Sequence, residues 1–284
     1  MGASAAIRGM RGRTAGRGAA RRAANSGAMG AAARSGLAAR GVLYLLVGLL
    51  ALQVAFGSGE QADRGGALRG LSDKPLGSFL IWAVAIGLVG MALWRLSEAL
   101  FGAAGPDGHK ARKRLLSAGR CVFYGVVAYS VLSYAAGEQG SGSGSSDKQS
   151  EDVTAEVLGM PGGQWLVAAG GLVIAGTGVW IALRAVLRKY RKHLRLSAMP
   201  RGVRRGVDVL GVGGGVARGV FFAAAGGFAV AAAVDYDPDR AKGMDDTLRS
   251  FAETPAGPWL LVAIAVGLAL FGLFSFVEAR WREV

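Results

Sequence analysis

The residues best suited to chemistry are arginines and glutamates that recur at matching positions beside long uncharged segments. Three arginines each precede such a segment, and the positions twenty-three residues after Pro75, Pro161 and Pro255 hold two glutamates and an arginine. The recurring charged set is Arg40, Glu98, Arg120, Arg184, Arg218 and Glu278. Charges at the edge of an apolar segment are costly unless they pair, so their usual roles are ion pairing, substrate binding and proton relay.

Two interpretations of this set are open. Each helical hairpin would bring two of its members together: Arg40 with Glu98, Arg120 with Arg184, and Arg218 with Glu278. In the first interpretation these contacts are structural and lock the hairpins. In the second, the charges form a ring that binds an anionic substrate or relays protons. The second hairpin holds two cations and no carboxylate, so this is the first place to look for an anion if the chain binds one.

No other pattern in the sequence indicates catalysis, a cofactor or a metal centre. A nucleophile beside a base is not visible, and His109 and His193 have no neighbours at ligand spacing. The acidic loop 235–246 partly matches a calcium-binding loop, but Arg240 stands where such a loop needs glycine. We therefore expect no catalytic, cofactor-binding or metal site, and whether this loop binds a divalent cation stays open.

The elements that must position these residues are helices that cross a membrane. Six windows lack any charged side chain: 41–59, 75–94, 121–137, 157–183, 219–234 and 254–277. A spanning helix needs about 20 mostly apolar residues, and the shorter windows reach this length when the preceding arginine snorkels to the headgroups. Six transmembrane helices are predicted, near 37–57, 76–98, 117–137, 163–185, 215–235 and 256–279.

The prolines divide these helices into three tandem two-helix hairpins. Each proline opens the second helix of a pair, where its missing N–H costs nothing. The predicted units are an Arg-rich disordered cytoplasmic tail over 1–34 and repeats over 35–102, 115–190 and 211–281. A Gly/Ser-rich flexible insertion over 137–150 interrupts the second repeat. Each repeat crosses twice, so the fold class is an all-α membrane protein with three parallel repeats and an approximate threefold axis.

Small and apolar residues indicate how the helices pack. Two small-xxx-small pairs, Ala83 with Gly87 and Ala263 with Gly267, are predicted at helix crossings. Short apolar segments near 67–71 and 247–251 precede their prolines at matching distances and are predicted to be helical. They would lie on the outer membrane interface, cap the bundle or contact an external partner.

One recurring pattern extends over both helices of the first repeat. It consists of Gly36, Arg40-Gly41, Tyr44, Gly48, Ala67-Leu68, Pro75, Gly77, Trp94-Arg95 and Glu98-Ala99. This pattern resembles the bacterial domain of unknown function 1206 family, over about residues 35–281. The second repeat departs from it, with Cys121 for glycine, Arg184 for glutamate and the Gly/Ser insertion. The resemblance implies a polytopic membrane protein and supplies no known activity.

Charge is distributed unequally between the two sides of the membrane. The segments 1–40, 95–120, 184–218 and the C-terminal tail hold 26 of the 33 Lys and Arg, whereas the three intervening loops hold 14 of the 19 acidic residues. The positive-inside rule then places both termini in the cytoplasm and the chain in the plasma membrane. The net charge of +14 is accounted for by anionic lipids at the cytoplasmic face, so no nucleic-acid partner is expected.

These observations lead to two hypotheses of function. The first is a non-enzymatic membrane scaffold or interaction protein that recruits an unidentified membrane protein partner. The alternative is a small transporter or channel with a pathway on the pseudo-threefold axis, lined by Arg40, Arg120 and Arg218. The mid-membrane windows contain no ionisable Asp, Glu, Lys, Arg or His, which disfavours a proton-driven pump.

Overall fold

The computed structural model describes residues 27–57, 62–72, 75–102, 110–137, 146–254 and 257–282. Over these residues the chain is all-α. The helices are α1 (Gly27–Ala55), α2 (Arg64–Ser72), α3 (Gly77–Phe101), α4 (Ala111–Ala135), α5 (Ser146–Leu158), α6 (Gly163–Val186), α7 (Arg201–Asp235), α8 (Met244–Ala252) and α9 (Gly257–Trp281). Short 3-10 turns cover Lys189–His193, Leu196–Ala198 and Pro238–Arg240.

Six of these helices are long and apolar enough to cross a bilayer: α1, α3, α4, α6, α7 and α9. Their apolar spans are 24 to 34 residues long, whereas about 20 residues suffice to cross the hydrocarbon core. Large apolar side chains such as Phe79, Ile86 and Leu172 are exposed on their outer faces. Such surfaces are stable only against lipid. The chain is therefore a multi-pass membrane protein embedded in a lipid bilayer.

The predicted tail is shorter than expected, because α1 begins at Gly27. Residues 27–34 are helical, so the prediction of disorder over 1–34 is wrong for them, and residues 1–26 lie outside the described residues. The reason is tertiary packing. Ala33 is fully buried, and a Cβ added to Gly90 of α3 would lie 2.9 Å from the carbonyl oxygen of Ala32.

The fifth membrane helix also begins earlier than predicted, at Arg201 instead of near position 215. Pro200 is the N-cap residue of α7, and its fixed φ suits a helix start. Val207 in the added turns is buried in an apolar cluster that includes Leu194 and Phe274. Burial of this face explains why the helix extends past the apolar window.

The predicted flexible insertion also needs a correction. Residues 146–150 form the first turns of α5, so the prediction of flexibility over 137–150 is wrong for them, and residues 138–145 lie outside the described residues. Asp147 is buried and accepts a hydrogen bond from the backbone N–H of Asp246 over 3.0 Å. This contact anchors the start of α5 against α8.

The long helices pack side by side in the order α4–α3–α1–α9–α7–α6. The most extensive contacts join the first helix of one repeat to the second helix of another: α6 with α7, α9 with α1, and α3 with α4. The first and third repeats also pack internally, through α1 with α3 and α7 with α9. In the second repeat, the described parts of α4 and α6 stand at opposite ends of the order and do not pack closely together.

Close crossings between repeats depend on small residues spaced seven apart. A Cβ added to Gly48 of α1 would lie 2.7 Å from the backbone N of Ala269, and one added to Gly272 of α9 would lie 2.7 Å from that of Leu45. The same contact recurs between α7 and α6, where a Cβ on Gly219 would lie 2.7 Å from the backbone N of Ala182. Real Cβ atoms do not approach so closely, so these positions require glycine.

In each predicted small-xxx-small pair, the glycine lies at a helix crossing and the alanine does not. A Cβ added to Gly87 would lie 2.8 Å from the Cβ of Ala39, and one on Gly267 would overlap Ala217, so both glycines lie at crossings within a repeat. Ala83 and Ala263 are exposed instead, and their assignment to helix packing is wrong. The buried stripe of α3 follows Ile81, Val84, Leu88 and Met91, which places Ala83 beside it on the outer face; in α9 the stripe follows Leu261, Ile264 and Leu268, beside Ala263.

The short helices α2 and α8 form at the predicted positions and cap one end of the bundle. Leu68 and Leu71 of α2 are buried, as are Leu248 and Phe251 of α8. Both helices pack against long helices, α2 on α1 and α3, and α8 mainly on α9. Of the three alternatives for these segments, the cap is the one observed.

Candidate functional site

The main polar feature inside the bundle is a group of charged residues near the end where α1 begins and α9 ends, here called the basic end. The arginine cluster comprises Arg40, Arg95, Arg120, Arg218, Arg282, Glu98, Glu278 and Tyr124. Arg40, Arg95, Glu278 and Tyr124 are buried. Five guanidinium groups face two carboxylates, so the cluster holds three excess positive charges.

Glu278 is the centre of one part of the cluster. Arg40 donates from Nη2 to Oε2 of Glu278 and from Nε to the hydroxyl of Ser275 over 3.1 Å. Arg282 donates from Nη1 to Oε1 of the same glutamate over 2.6 Å. The predicted pair of Arg40 with Glu98 is therefore wrong, because Arg40 of repeat 1 binds a glutamate of repeat 3.

Glu98 is the second carboxylate and accepts two hydrogen bonds at Oε2. Arg95, one turn earlier in α3, donates from Nη1 over 2.6 Å, and Ser117 of α4 donates over 3.1 Å. Arg120 is exposed and lies within electrostatic range of Glu98, Arg95 and Tyr124. This glutamate therefore links the second helix of repeat 1 to the first helix of repeat 2.

Arg218 has no carboxylate partner among the described residues. Its guanidinium lies over the rings of Phe271, Phe222 and Tyr44, at 4.7, 5.3 and 5.6 Å from their centroids. Its buried Nε makes no hydrogen bond within the described part of the chain. The predicted pair of Arg218 with Glu278 is wrong, and aromatic rings stabilise this cation instead.

Helix order explains both corrections. The first helix of each repeat packs mainly on the second helix of another repeat, so α1 contacts α9 and α7 contacts α6. Glu278 of α9 therefore meets Arg40, whereas α6 carries Arg184 at the corresponding position and offers Arg218 no carboxylate. The expected contact of Arg120 with Arg184 is wrong too, because α4 and α6 do not pack together over the described residues. Arg218 is therefore left without a carboxylate, and Arg120 has Glu98 only within electrostatic range, with no hydrogen bond or ion pair to it among the described residues.

A second buried nitrogen in the cluster also lacks a partner. Nε of Arg95 makes no hydrogen bond within the described residues, and its guanidinium stacks over Trp94 at 4.0 Å. Arg282 approaches the same ring at 5.2 Å. Buried N–H groups are almost always hydrogen-bonded in folded proteins. Two buried guanidinium N–H groups without a partner indicate that the cluster has too few hydrogen-bond acceptors among the described residues.

The connection from α6 to α7 covers part of the basic end. Arg191 binds Asp208 of α7 through Nη2 and, over 2.8 Å, through Nε. The hydroxyl of Tyr190 donates to the same carboxylate over 2.9 Å, and burial together with this bond raises the pKa of Tyr190 to about 12. Burial, with Arg282 and Arg184 nearby, lowers the pKa of His193, which keeps its ring neutral.

Acidic residues gather at the other end of the bundle, here called the acidic end, where α2, α5 and α8 meet. Carboxylate oxygens of Asp147, Asp245 and Asp246 lie within 4.8 Å of one another. Asp245 accepts from the backbone N–H of Ala62 and from Nε of Arg249, each over 2.8 Å. Burial, with Asp246 and Asp245 close by, raises the pKa of Asp147 to about 6. The three carboxylates join the short helices of different repeats.

The loop 235–246 does not bring its acidic residues to one point. Asp235 accepts from Nη1 of Arg240 over 2.5 Å, and Asp237 lies 3.7 Å from Nε of the same arginine. Asp246 instead joins Asp147 and Asp245. Arg240 therefore pairs with two of the carboxylates that a calcium-binding loop would use as ligands.

Two substitutions explain why the helices of the second repeat are apart. In repeats 1 and 3 the within-repeat crossing uses Gly36 and Gly214, where a Cβ would lie 2.5 Å from the Cβ of Met91 and the backbone N of Phe271 respectively. The corresponding residue of α4 is Leu116, which is 52% exposed. On the second helices, Gly87 and Gly267 correspond to Val173 of α6, which is 68% exposed. These larger side chains prevent the same crossing. The unpacked faces of α4 and α6 around Leu116 and Val173 are called the open side below.

Comparison with known proteins shows the family of this chain. The sequence profile of the domain of unknown function DUF1206 matches residues 35–102, 117–188 and 213–282. The chain belongs to the DUF1206 family. This DUF1206 chain is also 30% identical over 249 residues to the uncharacterized protein YxxB of Bacillus subtilis strain 168, covering 88% of the chain and 90% of that relative. No solved structure matches the DUF1206 chain.

Sequence reasoning missed three members of the arginine cluster: Arg95, Arg282 and Tyr124. Arg95 has no counterpart in the other repeats, where Ile181 and Ser275 stand, and Arg282 recurs only as Arg188 of the second repeat, so the repeat alignment gave little signal for them. Tyr124 does recur, since Tyr44 and Phe222 stand at matching positions four residues after an arginine. That recurrence is the signal that an aromatic ring accompanies each first-helix arginine.

Proposed function

We propose that this DUF1206 chain is a non-enzymatic interaction protein of the plasma membrane that binds another molecule within the bilayer at its open side. The observation that carries the proposal is the separation of α4 and α6 over the described residues, at the one repeat where Leu116 and Val173 replace glycines. Two helix faces that pack inward in the other repeats are thereby presented to the membrane.

The surroundings of the open side favour binding of an apolar surface. Leu115 and Phe123 of α4 are exposed beside Leu116, and Leu172 is exposed beside Val173 of α6. Within α6, the buried residues are Gly163, which lies against the end of α5, and a stripe of Gly171, Gly178 and Ala185, which contacts α7. The remaining faces of α6 are available to a partner with an apolar surface.

The polar interior favours binding over transport and catalysis. A pathway lined by Arg40, Arg120 and Arg218 needs three comparable positions on one axis. Arg40 is buried against Glu278, Arg218 lies over three aromatic rings, and Arg120 is exposed. Cations fixed in this way stabilise the fold or bind anions and provide neither a nucleophile nor a general base.

Both termini are assigned to the cytoplasm by the same proposal. The basic end carries the described starts of α1, α4 and α7 with their Lys and Arg residues, and the acidic end carries α2, α5 and α8. The positive-inside rule supports the cytoplasmic assignment of the basic end. Reporter fusions after Gly137 and after Trp281 are expected to be external and cytoplasmic, respectively, and the reverse pattern overturns the orientation.

The binding role is tested by site-specific photo-crosslinking in native membranes. A benzoylphenylalanine at position 116 or 173 is expected to give a discrete crosslinked product. Matched probes at Phe79 of α3 and Trp259 of α9, which are exposed outside the open side, are expected to give only diffuse labelling. Equal, diffuse labelling at all four positions contradicts a specific partner at the open side.

A further inference from the structure

We infer that the open side binds an anionic glycerophospholipid, with its phosphate held by Arg120 and Arg218 and an acyl chain lying along the unpacked faces of α4 and α6. This inference rests on the proposed function and names the molecule that is bound. Its basis is that two arginines without a carboxylate partner, Arg120 of the second repeat and Arg218 of the third, lie near the apolar faces of α4 and α6 that do not pack on each other.

The charge comes from two arginines that the cluster leaves without a carboxylate. Glu278 is occupied by Arg40 and Arg282, and Glu98 is occupied by Arg95. Among the described residues, no hydrogen bond or ion pair to a carboxylate is formed by Arg120 or by Arg218. A guanidinium near the hydrocarbon edge is costly without an anion, so these two groups provide the driving force for anion binding.

Tyr124 shows that the two arginines share one region. Its ring is buried on α4, one turn after Arg120, and its hydroxyl lies within electrostatic range of Arg218 on α7. Arg120 in turn lies within range of Tyr124. Two guanidinium groups and a phenol that converge from different helices offer the donors that recognise a phosphate.

The apolar faces decide between a lipid and a small soluble anion. Leu115, Leu116 and Phe123 on α4 and Leu172 and Val173 on α6 are all exposed next to this region or further along the same helices. A soluble anion does not cover these side chains, whereas an acyl chain does. Basic pockets between transmembrane helices are known sites for anionic lipid headgroups.

The residues that border the open side at the basic end are also positively charged. Lys113 at the start of α4 and Arg184 near the end of α6 both lie within electrostatic range of His193, whose lowered pKa leaves it uncharged at neutral pH. Lys113 and Arg184 therefore add cations around the headgroup at the basic end. A lipid with net negative charge is favoured over a zwitterionic one by these groups.

The experiment measures retention of lipid by the full-length protein purified in detergent. Native mass spectrometry with dioleoyl phosphatidylglycerol and dioleoyl phosphatidylcholine in equal amounts gives the preference of the wild-type chain. We expect phosphatidylglycerol to be retained roughly tenfold more than phosphatidylcholine, because both lipids offer a phosphate to the arginines but only phosphatidylcholine brings a choline cation among the basic residues. Equal retention of the two lipids overturns the inference.

Three variants define the site. Arg120→Gln, an exposed position, and Arg218→Gln are each expected to reduce the preference for phosphatidylglycerol about tenfold or to abolish it. Arg280→Gln removes an exposed charge at the same end of the bundle and is expected to leave the preference unchanged. If Arg218→Gln does not fold, the wild-type chain and Arg120→Gln still decide the question. An unchanged preference in Arg120→Gln overturns the site.

Two further measurements distinguish a lipid phosphate from a soluble phosphate, and failure of the lipid inference from failure of the proposed interaction function. Inorganic phosphate at millimolar concentration is expected not to displace phosphatidylglycerol, and complete displacement would assign the site to a soluble anion. A discrete protein crosslink at position 116 or 173, with no lipid preference, overturns the lipid inference and leaves the interaction function standing. Loss of both the crosslink and the lipid preference overturns both.

Discussion

Nη2 of Arg40 in α1 donates a hydrogen bond to Oε2 of Glu278 in α9, 238 residues later in the chain. The contact joins the first repeat to the third instead of joining the two helices of one hairpin. Both side chains are buried, and Ser275 and Arg282 complete their hydrogen bonds. The three repeats are thus held together by contacts between repeats as much as by contacts within them.

Removal of the carboxylate from this pair is expected to destabilise the bundle strongly. Glu278→Gln leaves the buried guanidinium of Arg40 without its counter-charge, and breaking a buried pair costs about 3 to 5 kcal/mol. The measurement is the free energy of unfolding by SDS titration in mixed micelles, or the melting temperature in detergent. Asp235→Asn removes an exposed partner of Arg240 and serves as the control, with a change within about 1 kcal/mol. Equal effects of the two substitutions contradict the structural role of Glu278.

The crossing of α6 with α7 gives a sharp test of close packing. Gly178→Ala adds a methyl group that would lie 2.6 Å from the carbonyl oxygen of Gly219, so we expect a loss of about 1 to 3 kcal/mol. Gly176→Ala, two residues away on the same helix, has open space around its Cβ and is expected to be neutral or slightly stabilising. Comparison of the two melting temperatures checks this, and a larger loss in Gly176→Ala would refute the close approach of α6 to α7 at Gly178.

Arg184→Glu is expected to supply the carboxylate that the second repeat lacks. The substitution places a glutamate of α6 where α3 and α9 have Glu98 and Glu278, on the helix that packs against α7. An added charge-assisted hydrogen bond to Arg218 stabilises by about 1.5 to 3 kcal/mol, which a raised melting temperature reports. The same variant is expected to lose its preference for anionic lipid.

The control for this charge reversal is Arg188→Glu, one turn further along and exposed. It changes the net charge equally but lies beyond the end of α6, so no gain in stability is expected. A melting temperature raised to the same extent in both variants indicates a general charge effect. Arg218 would then not be the partner.

Stability is expected to depend on pH through Asp147 at the acidic end. Its pKa of about 6 in the folded protein lies above the ordinary value of 3.8, so the folded state binds this proton more tightly than the unfolded state does. The free energy of unfolding contributed by Asp147 therefore rises as the pH falls from above 7 to below 5. Melting temperatures at pH 7.5 and pH 5 measure this dependence.

Asp147→Asn isolates that contribution. The amide oxygen still accepts the hydrogen bond from the backbone N–H of Asp246, but the side chain no longer titrates among Asp63, Asp245 and Asp246. We expect a higher melting temperature than the wild type at pH 7.5 and a smaller difference between the two proteins at pH 5. An identical pH dependence in wild type and variant shows that Asp147 is not the responsible group.

The membrane-spanning helices and their threefold repetition could be predicted from the sequence, because the patterns that indicate them lie within short stretches of the chain. A window without charge and a proline at the start of the second helix are read directly from neighbouring residues, and α2 and α8 likewise follow from short apolar segments. The early start of α1 was missed because Ala33 is buried by tertiary contacts with α3. Composition alone groups residues 27–34 with the Arg-rich residues that precede them.

The pairing of charges was not open to prediction from local signals. The hairpin is the simplest arrangement for two consecutive helices, and it led to the pairs of Arg40 with Glu98 and Arg218 with Glu278. Which helix contacts which is decided by small residues seven apart, such as Gly41 with Gly48 and Gly171 with Gly178. The exchange of Gly87 and Gly267 for Val173 was visible in the repeat alignment, but its meaning depends on the crossing that it prevents.

The long separation between Arg40 and Glu278 has a consequence for biosynthesis. A ribosome that adds about 5 to 20 residues per second needs roughly 12 to 48 s to travel the 238 residues between them. During that interval the nascent chain cannot yet supply the carboxylate of Glu278 to the guanidinium of Arg40. The final step of assembly is therefore the arrival of the last helix beside the first, and chains truncated before α9 are expected to be degraded instead of accumulating as partial bundles.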